Sequence, residues 1–367
     1  MSLNSAHEGY AYQDLLISYF ILKEILEGKD DSVFSIDKKH TSQGIPDRFD
    51  DLVITNGLNI QRKQIKHSND TTARKLIKND FANDSKDLAL FELYRTWKEL
   101  NTSDSEFRLC LAWDEPTEDN IKQVLEPYSV ESSFDDFSTK LYRINLDNLW
   151  EDGSAPLGTW RTLKKFVEDN DIDRNDFKVF CDSLVIELEL PKASLKFNAP
   201  SDLENIVLQQ AEKLGIGQYP NDDIYILDFL ERLAKKVGEY RTRSAEVSGV
   251  EVLRDLRVKT DFGKIEQKFE IDQSKNIKSD EKYTLFKTGL IENKKTLLIG
   301  EPGSGKSWFL TNFIEYLESN SQKVIRHYCF TDTEDELIEK RVSSDVFFGS
   351  VVANFQILKM KEVKNKF

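Results

Sequence analysis

The chain has 367 residues, 39% of them hydrophobic and 32% charged, with a formal net charge of −14. No apolar run approaches the ~18 residues of a membrane span, and residues 1–8 lack the basic and apolar regions of a signal peptide. Cys110, Cys181 and Cys329 are too scattered for a disulfide framework or a zinc site, which points to a reducing, cytoplasmic setting, and the acidic balance argues against nucleic-acid binding over the whole surface.

Residues 9–27 predict a helix. Leu15, Tyr19, Leu22 and Leu26 recur on one face, Gln13, Ile17, Phe20 and Glu24 lie on the neighbouring face, and Gly28 ends it. Residues 50–55 and 58–67 predict two strands joined by a turn at Asn56-Gly57. Residues 70–100 read as mainly helical, 107–113 as a strand, and 177–190 as a further strand. Helices follow over 203–214 and 224–240, and residues 260–282 form a polar, lysine-rich connector. Thr296-Leu297-Leu298-Ile299 reads as a buried strand, 308–314 as a helix, and 323–330 as one more strand. The pattern is α/β. It divides into an α/β domain (1–195), a helical spacer (196–282) and a partial P-loop α/β unit (283–367).

Two regions carry chemistry. In the hairpin, Asp50 and Asp51 open the first strand, and Gln64-Ile65-Lys66-His67-Ser68 ends the second. A carboxylate with a second oxygen ligand can hold Mg²⁺, and a lysine two residues along shares the same strand face. That layout suits metal-assisted attack of water on a phosphodiester. Gln61 and Lys63 form a second Gln-x-Lys pair of opposite parity, so a one-residue change of register exchanges the two sets. Arg62, Lys63, Lys66, Arg74, Lys75 and Lys78 against the single acid Asp70 make a basic island in an acidic chain. Trp97, Trp113, Trp150 and Trp160 are spread over different elements and read as core. Cys181 reads as a small buried hydrophobe, and residues 114–119 as a solvated acidic turn.

Near the C-terminal end, Gly300-Glu301-Pro302-Gly303-Ser304-Gly305-Lys306-Ser307 matches the G-x-x-x-x-G-K-[ST] phosphate-binding loop without a mismatch. Gly300, Pro302, Gly303, Ser304 and Gly305 would wrap the phosphates of ATP. Lys306 would reach the β- and γ-phosphates, and Ser307 would hold Mg²⁺. No later apolar run ends in Asp or Glu, so a Walker B carboxylate is missing. A truncated chain is expected, and ATP hydrolysis is left open.

Gly9-Tyr10-Ala11-Tyr12-Gln13, Asp50-Asp51 and the Gln64–Ser68 segment resemble the double-stranded DNA nuclease domain of the PD-(D/E)xK superfamily, found at the N-terminus of several bacterial anti-phage effectors. The likeness spans about residues 8–190. It implies a restriction-endonuclease-like fold, Asp50 or Asp51 with Gln64 as metal ligands, Lys66 as the catalytic lysine, Glu24 as the helical acid and Gln13 as a site-lining amide. It also favours the Gln64-Lys66 register, because His67-Ser68 completes the family pattern and Ile65 then points into the core. The P-loop, His327-Tyr328-Cys329-Phe330 and residues 341–348 resemble the start of a STAND-type NTPase, a family that binds ATP, oligomerises and switches on an attached effector. Together these imply a DNA endonuclease in antiviral defence, acting on double-stranded DNA and assembling as a homo-oligomer. Two other readings are a nucleotide-gated DNA-binding regulator without nuclease activity and a plain ATPase with an accessory domain.

Overall fold

The computed structural model describes residues 3–67, 74–83, 85–150, 155–196, 199–218, 221–259, 280–320, 322–324 and 347. In chain order the elements are α1 (Leu3–Leu26), β1 (Val33–Ile36), β2 (Leu52–Asn56), β3 (Asn59–Lys66), α2 (Lys78–Ala82), α3 (Leu90–Leu100) and β4 (Ser105–Leu111). Then come α4 (Asp119–Lys122), β5 (Leu125–Pro127), β6 (Lys140–Ile144), α5 (Leu146–Leu149), α6 (Arg161–Asp169), α7 (Arg174–Ser183) and β7 (Leu184–Leu188). The rest are α8 (Asp202–Lys213), α9 (Ile226–Thr242), β8 (Glu246–Ser248), α10 (Gly249–Asp255), α11 (Asp280–Asn293) and α12 (Lys306–Ser319). The chain divides into two units: Met1–Gly217 with Asn221–Val258, and Gln218–Pro220 with Lys259–Phe367. Among the described residues no helix is long and apolar enough to cross a membrane.

The first unit is built on one open, mixed sheet of eight strands in the order β5-β6-β7-β4-β3-β2-β1-β8. β3, β4 and β7 run parallel at its centre, and the other pairings are antiparallel. Alternation along the strands sorts the side chains onto two faces. Leu52, Ile54, Ile65 and Cys110 face α1; Phe107, Leu109, Leu111 and Ile186 join the core under α3 and α7. All four predicted core tryptophans are buried on the α3 side, and Cys181 is buried there too.

The hairpin turn is shifted by one residue from Asn56-Gly57. Asn56 pairs with Asn59, so the two-residue loop is Gly57-Leu58, with Gly57 at φ 59° in the position that favours glycine. Asn56 is held in the strand because its amide donates to Ser32 Oγ at 2.8 Å.

Two further expectations need correction in the first unit. Residues 177–183 are helical, and only Leu184–Leu188 is strand. Asp173 caps α7 by accepting from the N–H groups of Asn175 (2.8 Å) and Asp176 (3.2 Å), and Phe177, Phe180 and Cys181 then fall on one helical face. The helical spacer is not separate either: Leu203, Val207 and Ala211 of α8 and Phe229, Leu230, Leu233 and Val237 of α9 share one core with α1. That is why α1 is buried nearly all round, with Leu15, Leu16, Ile17, Ile21 and Leu22 all inaccessible. Asp14 joins the packing through Arg241 of α9, at 2.8 and 3.2 Å.

In the second unit the predicted strand at 296–299 is not formed, and Leu297 and Ile299 are 80% and 82% exposed. A strand needs a neighbour to take its backbone hydrogen bonds, and no strand is present among the described residues of this unit. The predicted strand at 323–330 lies, from residue 325, outside the described residues. The predicted helix is present as α12. It packs on α11 through an aromatic seam of Tyr283 and Phe286 against Phe309 and Phe313.

Candidate functional site

The hairpin strands part company at Asp51. Their last ladder pair is Leu52 with Lys63, and one further step in register would set Asp51 against Gln64. Instead Asp51 turns its carboxylate into the gap. Oδ2 accepts the Ile65 N–H at 2.7 Å and the Gln64 side-chain amide. The carbonyl of Ile65 accepts Gln13 Nε2 of α1 at 3.2 Å. Both backbone groups of Ile65 that β2 leaves unpaired are thus taken by side chains. Gln64, Asp51 and Gln13 meet where β2 diverges from β3.

Lys66 follows two residues after Gln64 on the same face, half-buried, with Nζ 3.4 Å from Asp87 Oδ2. Arg48 reaches the other Asp87 oxygen at 3.6 Å. Asp50 has its pKa pushed up to about 7, by burial first and then by Asp51, Asp47 and Asp37. Burial raises Asp51 to about 6; Lys66 and the Ile65 N–H act in the opposite sense, and Asp37 and Asp87 add repulsion. A site that crowds carboxylates in this way favours a proton or a cation. Gln64 presents its nitrogen to Asp51, and a half-turn of the amide presents Oε1, so the same side chain can donate or coordinate. Asp51 and Gln64, with the neighbouring Asp50, are the oxygen-bearing side chains that would hold a small divalent cation if one were bound here. Among the described residues no group of three or more His, Cys, Asp or Glu is arranged to hold a metal.

The other hairpin register falls on the opposite face. Lys63 is 3% exposed, lies under α1 with Nζ 4.7 Å from the Phe20 ring centroid, and burial lowers its pKa. Two cations of the basic island, Arg62 and Lys63, are thus buried on opposite faces of β3. Glu24 is not brought to the Asp51 site. It lies eleven residues beyond Gln13, about 16 Å along the helix axis, accepts from Ser32 Oγ at 3.1 Å, and is pushed up in pKa by burial.

Sequence reasoning gave no role to Tyr12. Its ring stacks on His67, with centroids 4.2 Å apart and planes 8° apart, and its hydroxyl donates to the Pro191 carbonyl at 3.0 Å. Burial, with help from Lys192, pushes His67 down to about 4, so its ring is neutral near pH 7. Asp87, Arg48 and Arg62 were also missed as neighbours of the site. Arg62 alone left a signal, since Arg62, Gln64 and Lys66 are three polar residues at alternate positions of a central strand.

In the second unit, Gly303 (φ 78°) and Gly305 (φ 84°) hold left-handed backbone ahead of α12, and a Cβ on Gly300 would lie 2.7 Å from Ser304 Oγ. Lys306 closes the loop on itself, with Nζ donating to the carbonyls of Gly300 (2.7 Å) and Glu301 (2.8 Å). Pro302 lies in the exposed turn, and Ser307 is exposed in the first turn of α12.

No protein-family model matches the chain, and no curated protein matches it. The two family resemblances rest on the motifs alone.

Proposed function

We propose that the chain is a Mg²⁺-dependent endonuclease of double-stranded DNA with a restriction-endonuclease-like first unit, controlled by ATP binding and self-association through a STAND-type P-loop unit, in the manner of a bacterial antiviral effector. One observation carries the reading: Asp51 meets Gln64 where β2 leaves β3, with Lys66 on the same face. Asp50 and Asp51 are the anionic ligands, Gln64 supplies a neutral oxygen, and Gln13 fixes the backbone between Gln64 and Lys66. Mg²⁺ held by these residues would supply charge neutralisation at the scissile phosphate and activation of water. Lys66 offsets charge that builds on the phosphate oxygens during attack. The P-loop glycines and Lys306 are the ATP contacts, with Ser307 toward its Mg²⁺.

The test is cleavage of supercoiled and linear double-stranded DNA by the purified full chain, in Mg²⁺, Mn²⁺ or EDTA, with and without ATP. Nicking or linearisation with either metal and none in EDTA is expected, with ATP changing the rate. Cutting that persists in EDTA rejects the metal site. DNA binding without cutting in any condition favours the nucleotide-gated DNA-binding regulator. Lys63→Met, which keeps the length and burial of the side chain, separates the two registers. Its cleavage rate should stay within about twofold of the parent, as expected for a group making no transition-state contact. A loss as deep as that of a Lys66 variant would move the metal to the α1 face.

A further inference from the structure

Among the described residues, Arg62 Nε and Nη1 of β3, and His40 Nε2 and Arg48 Nε of the loop joining β1 to β2, are buried atoms without a hydrogen-bond partner. Arg62 stands out among them. It is 7% exposed and has no ion pair among the described residues. The nearby carboxylate that acts on its charge, Asp47, is already committed: Oδ2 accepts the His40 N–H at 2.8 Å and Oδ1 the Phe49 N–H at 3.1 Å. A buried guanidinium is normally paired, because leaving it alone forfeits its hydration without return. The sheet does not require a cation here either. The flanking positions in register are the apolar Val53 on β2 and Phe107 on β4.

Arg62 lies on the same face of β3 as Gln64 and Lys66, about 6.7 Å along the strand from Gln64. Half-buried His40 lies on the loop joining β1 to β2, and burial and then Arg62 lower its pKa. An imidazole and a guanidinium fork with open N–H groups suit an acceptor with several oxygens. We infer that Arg62, with His40 of that loop, takes a non-bridging phosphate oxygen of the substrate strand next to the phosphodiester that is cut. This rests on the nuclease reading and adds a binding subsite to it. It makes Arg62 a register-setting contact rather than part of the reacting centre.

The experiment measures binding of a short DNA duplex to the full chain in EDTA, by fluorescence anisotropy over a salt series, for the parent, Arg62→Gln, Arg62→Lys and His40→Gln. Loss of one phosphate contact should reduce the slope of log affinity against log salt by about 0.9. Arg62→Gln is expected to show that reduction, Arg62→Lys to keep the parent slope, and His40→Gln to weaken binding without changing it. Circular dichroism confirms that each variant is folded; if Arg62→Gln is not, the Arg62→Lys and His40→Gln pair decides, and parental affinity in His40→Gln overturns the assignment. A parental slope in folded Arg62→Gln overturns it and leaves the nuclease reading standing, with buried water as the filler of the site. A parent that neither binds nor cuts DNA overturns both. A third arm uses inorganic phosphate alone. If phosphate raises the melting temperature of the parent and not of Arg62→Gln while the DNA slopes agree, the site serves a free anion and the strand contact is rejected.

Discussion

Lys66→Ala is expected to lower metal-dependent DNA cleavage by about 10²–10³-fold, the loss seen when one preorganised charge partner of a transition state is removed. Its fold should survive. Lys66 is half-buried, and its one ion pair among the described residues is to Asp87, whose side chain is 63% exposed; such a pair contributes about 0–1 kcal/mol. Cleavage in single-turnover conditions, beside a melting curve, separates the two effects. Parental cleavage by the folded variant would remove Lys66 from the reaction and, with it, the assignment of Gln64 and Asp51 as its neighbours in chemistry. The salt slope for duplex binding should fall by no more than about 1, since only one phosphate contact is at stake.

The largest loss of stability is expected from Glu187→Ala. Glu187 is fully buried on the α1 face of β7. Its Oε1 accepts from Ser132 Oγ (3.1 Å), Ser133 N (2.9 Å) and Thr139 Oγ1 (2.8 Å), and its Oε2 from Arg108 Nη1 (2.9 Å) and Ser133 Oγ. Truncation strands the Arg108 charge and frees the loop that Glu187 ties down. Breaking a buried pair from one side costs about 3–5 kcal/mol. Urea unfolding should report this as a shift of midpoint, and Arg108→Met in the same chain should recover part of it. The pH dependence has a definite sign. Burial acts to raise the Glu187 pKa, but Arg108 and the hydroxyl and N–H donors outweigh it and hold it below the usual range. Its contribution is therefore complete above the unfolded pKa of about 4.3 and lost as the pH falls through the lower folded value. The parent should lose this part of its stability on acidification below that pH, and the variant should have none of it to lose. Equal midpoints for parent and variant at neutral pH would show that the network contributes no net stability.

The centre of the candidate site was legible because strand parity is a strong constraint. With Ile65 in the core, Gln64 and Lys66 must share the other face, and Asp51 is the next residue in line after the last hairpin pair. What failed was information that resides in partners. β1, β5, β6 and β8 are three to five residues long and take their hydrogen bonds from neighbouring strands, so local composition barely marks them. The aromatic and β-branched run at 177–183 looks extended until Asp173 is recognised as a cap. Glu24 shares a helix with Gln13, but spacing along the helix carries it away from Asp51 to Ser32. Arg62 and Lys63 read as surface charge because a lysine or arginine count says nothing about which side of a sheet each one enters.

The burial of α1 from both sides sets the smallest piece of this chain that can fold by itself. A fragment stopped at residue 195 keeps seven of the eight strands, losing β8 from the edge beside β1, and it strips α8 and α9 from α1 and leaves Asp14 without Arg241. The helix that carries Gln13 would then present Leu16, Ile21 and their neighbours to water, and the fragment would be prone to aggregate rather than inactive by chemistry. An autonomous first unit has to run to Val258, where the last helix of that core has closed.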